Sequence, residues 1–137
     1  MTEQTTELTL PSRIESIQET ASVAARIINP SGVSEDVAFG LDLAVREAVA
    51  NAVIHGNQRD DAKPIDVTFI TTSSNLVVLV RDRGAGFEPE KVPDPTDAEH
   101  LLNSSGRGIL FMRTFMDEVA WSRHPEGGTV VRMTKKF

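Results

Sequence analysis

The chain has 137 residues, close to the commonest size of a single domain and long enough for one good core. With 14 basic against 20 acidic residues it carries a formal charge of −6, and no basic stripe for nucleic acid is visible. It has no cysteine, which excludes disulfides, thiolate metal sites and a Cys nucleophile; its longest purely aliphatic run, Leu76 to Val80, is far short of a membrane span.

The opening Met1 to Thr9 is polar and mildly acidic, unlike a signal peptide, and His55, His100 and His124 lack zinc-like spacing. A soluble cytoplasmic protein without direct contact to membrane or nucleic acid is therefore expected. Residues 1–7 are expected to form a flexible tail, with one domain over 8–137. Leu8, Thr9 and Leu10 alternate up to Pro11, which predicts a short edge strand. Ser12 with Glu15 three residues on has the pattern of a capping box for a helix carrying Ile14, Ile17, Ala21, Ala24, Ala25 and Ile28. Pro30-Ser31-Gly32 ends that helix.

Ser34 is placed to cap a second helix that stops at His55-Gly56-Asn57. Within it, Leu41 to Gly56 (LDLAVREAVANAVIHG) spreads apolar side chains over so many directions that it must be covered on more than one side. Glu47, Asn51 and His55 share one polar stripe of this helix. Such a stripe is either solvated or satisfied by backbone, or it faces a ligand. A carboxylate buried there without a partner would cost a few kcal/mol, roughly.

Ile65 to Thr72 alternates as a strand, Ser73-Ser74-Asn75 turns, and the apolar run Leu76 to Arg81 predicts an antiparallel, central partner. Asp82-Arg83-Gly84-Ala85-Gly86-Phe87 follows directly. The Pro-rich, charged stretch from about residue 88 to 105 is expected to be a lid, with a short helix near Thr96 to Leu102. Gly106-Arg107-Gly108 opens a helix carrying Ile109, Leu110, Met112, Phe115 and Met116. Glu118 to Ser122 and Gly128 to Met133 predict a closing hairpin. The order β-α-α-β-β-lid-α-β-β points to an α+β fold, a two-layer sandwich with a mostly antiparallel or mixed sheet and its helices on one face.

No GxxxxGK[ST] occurs and neither glycine cluster completes GxGxxG, so two common phosphate motifs are excluded. Three other pieces remain: Glu47-x-x-x-Asn51, Asp82-x-Gly84-x-Gly86 and Gly106-x-Gly108. Each has a use in holding a nucleotide. An Asp at a strand end accepts a hydrogen bond from an exocyclic amine such as adenine N6. Gly84 and Gly86 leave room for a flat ring beside the backbone. Gly106 and Gly108 let backbone N–H groups close on phosphates at a helix start. Asn51 offers a carbonyl oxygen to Mg²⁺, and Glu47, one turn earlier, is placed to orient or deprotonate a nucleophile. Singly, Asp82-Arg83-Gly84 is better explained as a turn and Gly106-Arg107-Gly108 is a weak signal. Together with Glu47-x-x-x-Asn51, in this order and with a lid-like segment between the last two, the pieces are hard to explain as coincidence and suit a nucleotide.

These pieces resemble the N, G1 and G2 boxes of the GHKL ATP-binding superfamily, which includes gyrase, histidine kinases and MutL. Within it the chain is most similar to the small anti-sigma-factor serine kinases of the RsbW type. LAVREAVANAVIHG, VRDRGAGF, GRGILFMRTFMDEV and GGTVVRMTK carry the likeness, which runs from about Leu8 to Phe137. It implies a Bergerat-type ATP- and Mg²⁺-binding sandwich that phosphorylates a serine of a STAS-domain anti-anti-sigma partner. It also implies a homodimer that holds off a sigma factor in the alternative state.

Carried over by position, the resemblance makes Glu47 the general base, Asn51 the Mg²⁺ ligand and Asp82 the adenine-binding carboxylate. Gly86 and Thr129 then line the base through water, beside Gly84, while Gly106 and Gly108 face phosphate. His55 lies in the N box, where a structural role at the helix end fits equally well. Arg107 is a cation for a phosphate or a solvated residue at the lid hinge. Some members carry an Arg before the first glycine, whereas Ser104 and Ser105 stand there here. Three readings compete: a serine kinase that doubles as anti-sigma factor, an ATP-binding module that sequesters a partner with little or no transfer, and an ATPase or histidine-kinase fragment. The first helix has no His to accept phosphate, which disfavours the third.

Overall fold

The computed structural model describes residues 3–84 and 112–137. They form a five-stranded sheet, β1 (Gln4–Leu10), β2 (Ile65–Thr71), β3 (Asn75–Arg81), β4 (Glu118–Arg123) and β5 (Thr129–Lys136), in the order β1-β2-β3-β5-β4. Every pairing among the described residues is antiparallel. The helices α1 (Glu15–Ile28) and α2 (Glu35–Ala50) pack on one face, so the expected two-layer α+β sandwich is what the chain forms. The lid, Gly86, and the start of the helix at Gly106 lie outside the described residues.

The sheet face under the helices follows from period-2 alternation. Ile65, Val67 and Phe69 of β2, Leu76, Val78 and Val80 of β3, and Val131 and Met133 of β5 are buried. β3 is central, as its unbroken apolar run predicts, with Val80 opposite Val67 on one side and Val131 on the other. α2 supplies Leu41, Ala44, Val45, Ala48 and Val49, and α1 covers its second side with Ala24 and Ile28. Small alanines on that side let the two helices approach closely. Residues 112–115 are helical; Met112 is buried in the core, and the Phe115 ring lies where a Cβ on Gly40 would collide with it.

Two local expectations are corrected. β1 begins at Gln4, not Leu8, because Gln4 to Glu7 pair with Thr68 to Thr71 along the full length of β2. Ser12 does not cap α1, which starts after Ile14 without any side-chain cap. Its hydroxyl instead donates to the Lys63 carbonyl and accepts from Asn57 Nδ2, a tertiary demand that local spacing does not reveal. Ser34 does cap α2, accepting from the Val37 amide at 3.2 Å.

The β4–β5 turn brings Gly128 against the end of β3. Gly128 has φ +89°, and a Cβ there would overlap the Asp82 carbonyl. Gly128→Ala is therefore expected to cost about 2 kcal/mol or more, read as a lower denaturant midpoint. A midpoint equal to wild type would mean that the turn relaxes without strain.

Candidate functional site

The site is built where α2 ends beside the end of β3. After Ala50 the helix continues as a π-helical stretch, Asn51–Gly56, with the Asn57 amide bonded back to the Ala52 carbonyl at 2.8 Å. Residues advance through a smaller angle per step in such a stretch, and these bulges recur at functional sites. Glu47 and Asn51 are half-buried on the same stripe, as expected, and neither side chain hydrogen-bonds or ion-pairs with the described residues. His55 is exposed beyond them.

Burial without a compensating partner pushes the Glu47 carboxyl above the usual carboxylate range. A raised folded-state value means that the native protein holds this proton more tightly than the unfolded chain. Stability tied to it is complete at pH values below the ordinary carboxylate range and is lost as pH rises through the raised value. Glu47→Gln is thus expected to raise the Tm at pH 7, with the gain vanishing toward about pH 4. A Tm difference that does not change with pH would contradict this.

Asp82 is 8 % exposed, at the first position after β3. Its Oδ1 accepts from the Gly84 amide at 2.9 Å and the Thr129 amide at 3.2 Å, while its own amide donates to the Thr129 carbonyl at 3.0 Å. Oδ2 makes no hydrogen bond with the described residues and lies against Gly56, where a Cβ would overlap it. A Cβ on Gly84 would likewise run into the Gly56 carbonyl. Gly56 and Gly84 therefore let the end of the helix close onto the segment after β3. Thr129 Oγ1, next to this carboxylate, is buried with no hydrogen-bond partner among the described residues. The fold thus brings Asp82, Gly84 and Thr129 together. Gly86, Gly106, Arg107 and Gly108 lie outside the described residues.

Two residues at this site escape motif reading. Asn57, 1 % exposed, donates to the Lys63 and Pro64 carbonyls and accepts from the Arg83 amide. Its only signal in the sequence is an amide directly after His-Gly at a helix end. Arg83, a cation inside the Asp-x-Gly piece, is committed to the Pro64 carbonyl and Asp66 Oδ2, both at 2.7 Å, and not to the site. No group of three or more His, Asp or Glu that could hold a metal ion occurs among the described residues. Among the same residues no helix is long and apolar enough to cross a membrane.

Comparison with known proteins adds to this geometry. Residues 10–135 match the family described as histidine kinase-like ATPase domain. An anti-sigma F factor of Clostridium botulinum (strain Eklund 17B) is 36% identical over 96 residues, covering 69% of this chain and 67% of its own length. The anti-sigma F factor of Bacillus subtilis is 33% identical over 93 residues, 66% of this chain and 64% of its own. The serine-protein kinase RsbW of Bacillus subtilis is 30% identical over 135 residues, 94% of this chain and 83% of its own.

Proposed function

The chain belongs to the GHKL family of histidine kinase-like ATPase domains, in its RsbW-type group, and on that premise we propose that it is an ATP-dependent protein-serine kinase and anti-sigma factor. It transfers the γ-phosphate of ATP to a serine of a STAS-domain anti-anti-sigma partner, and otherwise holds a sigma factor. The observation that carries the nucleotide site is the Asp82 cradle. One carboxylate oxygen is occupied by two backbone amides, and the other is left for an exocyclic amine. Thr129 Oγ1, buried and unpartnered among the described residues, suits a bridging water to the same base.

The residues fit ATP with Mg²⁺. Asn51 would hold the ion through its amide oxygen, and the ion, when bound, neutralises phosphate charge. Glu47, one turn before it, orients the serine hydroxyl of the partner and takes its proton. Its raised affinity for protons suits that task, since a base works best near the operating pH. Asp82, Gly84 and Gly86 hold the adenine end. By the resemblance, Gly106 and Gly108 would serve the phosphates, with Arg107 as a candidate cation. His55 borders the nucleotide. The active form is a cytoplasmic homodimer, as the resemblance implies.

The test is incubation with γ-labelled ATP and a serine-bearing STAS-domain protein. Labelled phosphoserine on that partner, lost when its serine is replaced by alanine, is the expected result. ATP binding without label transfer would support the second reading, a sequestering module.

A further inference from the structure

Asp82 makes all its hydrogen bonds to the described residues through Oδ1 and its backbone, so its direction depends on what fixes that backbone. The peptide before it is held by its own amide on the Thr129 carbonyl at 3.0 Å. The peptide after it is held by the Arg83 amide, which donates to Asn57 Oδ1 at 2.7 Å. With both flanking peptide planes tied, φ and ψ of Asp82 are set and so is the direction of its Cβ. Arg83 lies past the end of β3, and a part-buried amide there needs an acceptor from elsewhere.

Asn57 can serve as that acceptor because its own orientation has one solution. The two N–H groups of its Nδ2 are shared among Ser12 Oγ at 2.8 Å, the Lys63 carbonyl at 2.7 Å and the Pro64 carbonyl at 3.2 Å. Rotating the amide by half a turn would set its NH₂ against the Arg83 N–H and its oxygen against those acceptors. The same contacts hold a chain reversal in which Gln58 and Arg59 both take positive φ, at 52° and 59°, a conformation costly for residues with a side chain.

We infer that Asn57 is a positioning residue that aims the Asp82 carboxylate through the Arg83 amide, and thereby sets the preference of the site for adenine over guanine. This rests on Asp82 being the acceptor for the adenine amine. Guanine presents a carbonyl oxygen at the corresponding ring position, which a carboxylate repels, so discrimination depends on where the carboxylate points.

The experiment compares calorimetric affinities for Mg-ATP and Mg-GTP in wild type, Asn57→Ala and Ser12→Ala, each below its own unfolding temperature. Asn57→Ala is expected to lower the ATP-over-GTP ratio about tenfold, the loss expected from one misdirected charged hydrogen bond. Ser12→Ala, which breaks the same buried cluster but leaves the Arg83 bond, is expected to lower Tm without moving that ratio. A folded Asn57→Ala protein with the wild-type ratio overturns the inference. Should that variant fail to fold, amide exchange in the wild type decides: the Arg83 N–H is expected to be protected like the amides of β3, and exchange at the rate of an open loop overturns the positioning role. Wild-type protein that binds neither nucleotide overturns the adenine reading and the base preference with it, while Arg83 exchange still decides whether Asn57 orders the segment.

Discussion

Asp82→Asn is expected to weaken Mg-ATP binding by about 10- to 100-fold, the value of one hydrogen bond to a charged group. The substitution is nearly isosteric, and the amide oxygen can still accept from the Gly84 and Thr129 amides that now bond Oδ1. That requirement forces the NH₂ into the Oδ2 position, where it meets the amine of the base as donor against donor. The same NH₂ suits the carbonyl of guanine, so Mg-GTP is expected to lose far less affinity than Mg-ATP. Calorimetry with both nucleotides checks this, with circular dichroism to show that the variant is folded. Unchanged ATP affinity in a folded Asp82→Asn protein would remove the adenine role from this carboxylate.

Glu47→Ala is expected to abolish phosphotransfer, by about 100-fold or more, while leaving Mg-ATP affinity within about threefold of wild type. The split follows from the chemistry assigned to the side chain. A base acting on the incoming hydroxyl contributes to the transition state and little to ground-state nucleotide binding. Glu47→Gln separates the base from mere bulk, since it keeps the shape but cannot take a proton. Single-turnover transfer to the partner serine is the readout, and full activity in either variant would rule out the base assignment. The Glu47→Gln protein should also be the more stable one at neutral pH. A group held above its usual proton affinity by burial costs folding energy once ionised, and removing the charge removes that cost.

The elements were legible because their signals are local. Alternation in Ile65 to Thr71, the unbroken apolar run at Leu76 to Val80, Ser34 before an apolar-periodic run, and glycines in the closing turn each act within a few residues. The burial of α2 on two sides was likewise readable, since Leu41 through Val53 leaves only a narrow polar stripe. The misreadings share one cause. Ser12 has the spacing of a cap but serves a contact with Lys63 and Asn57, far away in sequence. Gln4 to Glu7 carry no apolar pattern because they lie at the sheet edge, and pairing with β2 alone makes them a strand.

For the candidate site the division is similar. Residue types and spacing by themselves singled out the candidates: Glu47 and Asn51 one turn apart, and an Asp ahead of glycines after a central strand. Only the tertiary structure decided what they face. It joined Asp82 to Thr129 across β3 and β5, turned the helix end into a π-helical stretch, and committed Arg83 to Asp66 and not to the site. It also made Asn57, in sequence an ordinary helix-stop residue, the buried amide that ties the loop, Ser12 ahead of α1 and the Asp82 segment together. The reason is physical: propensity and periodicity act between near neighbours, whereas a buried polar group takes whatever partner the packed chain brings within hydrogen-bonding distance.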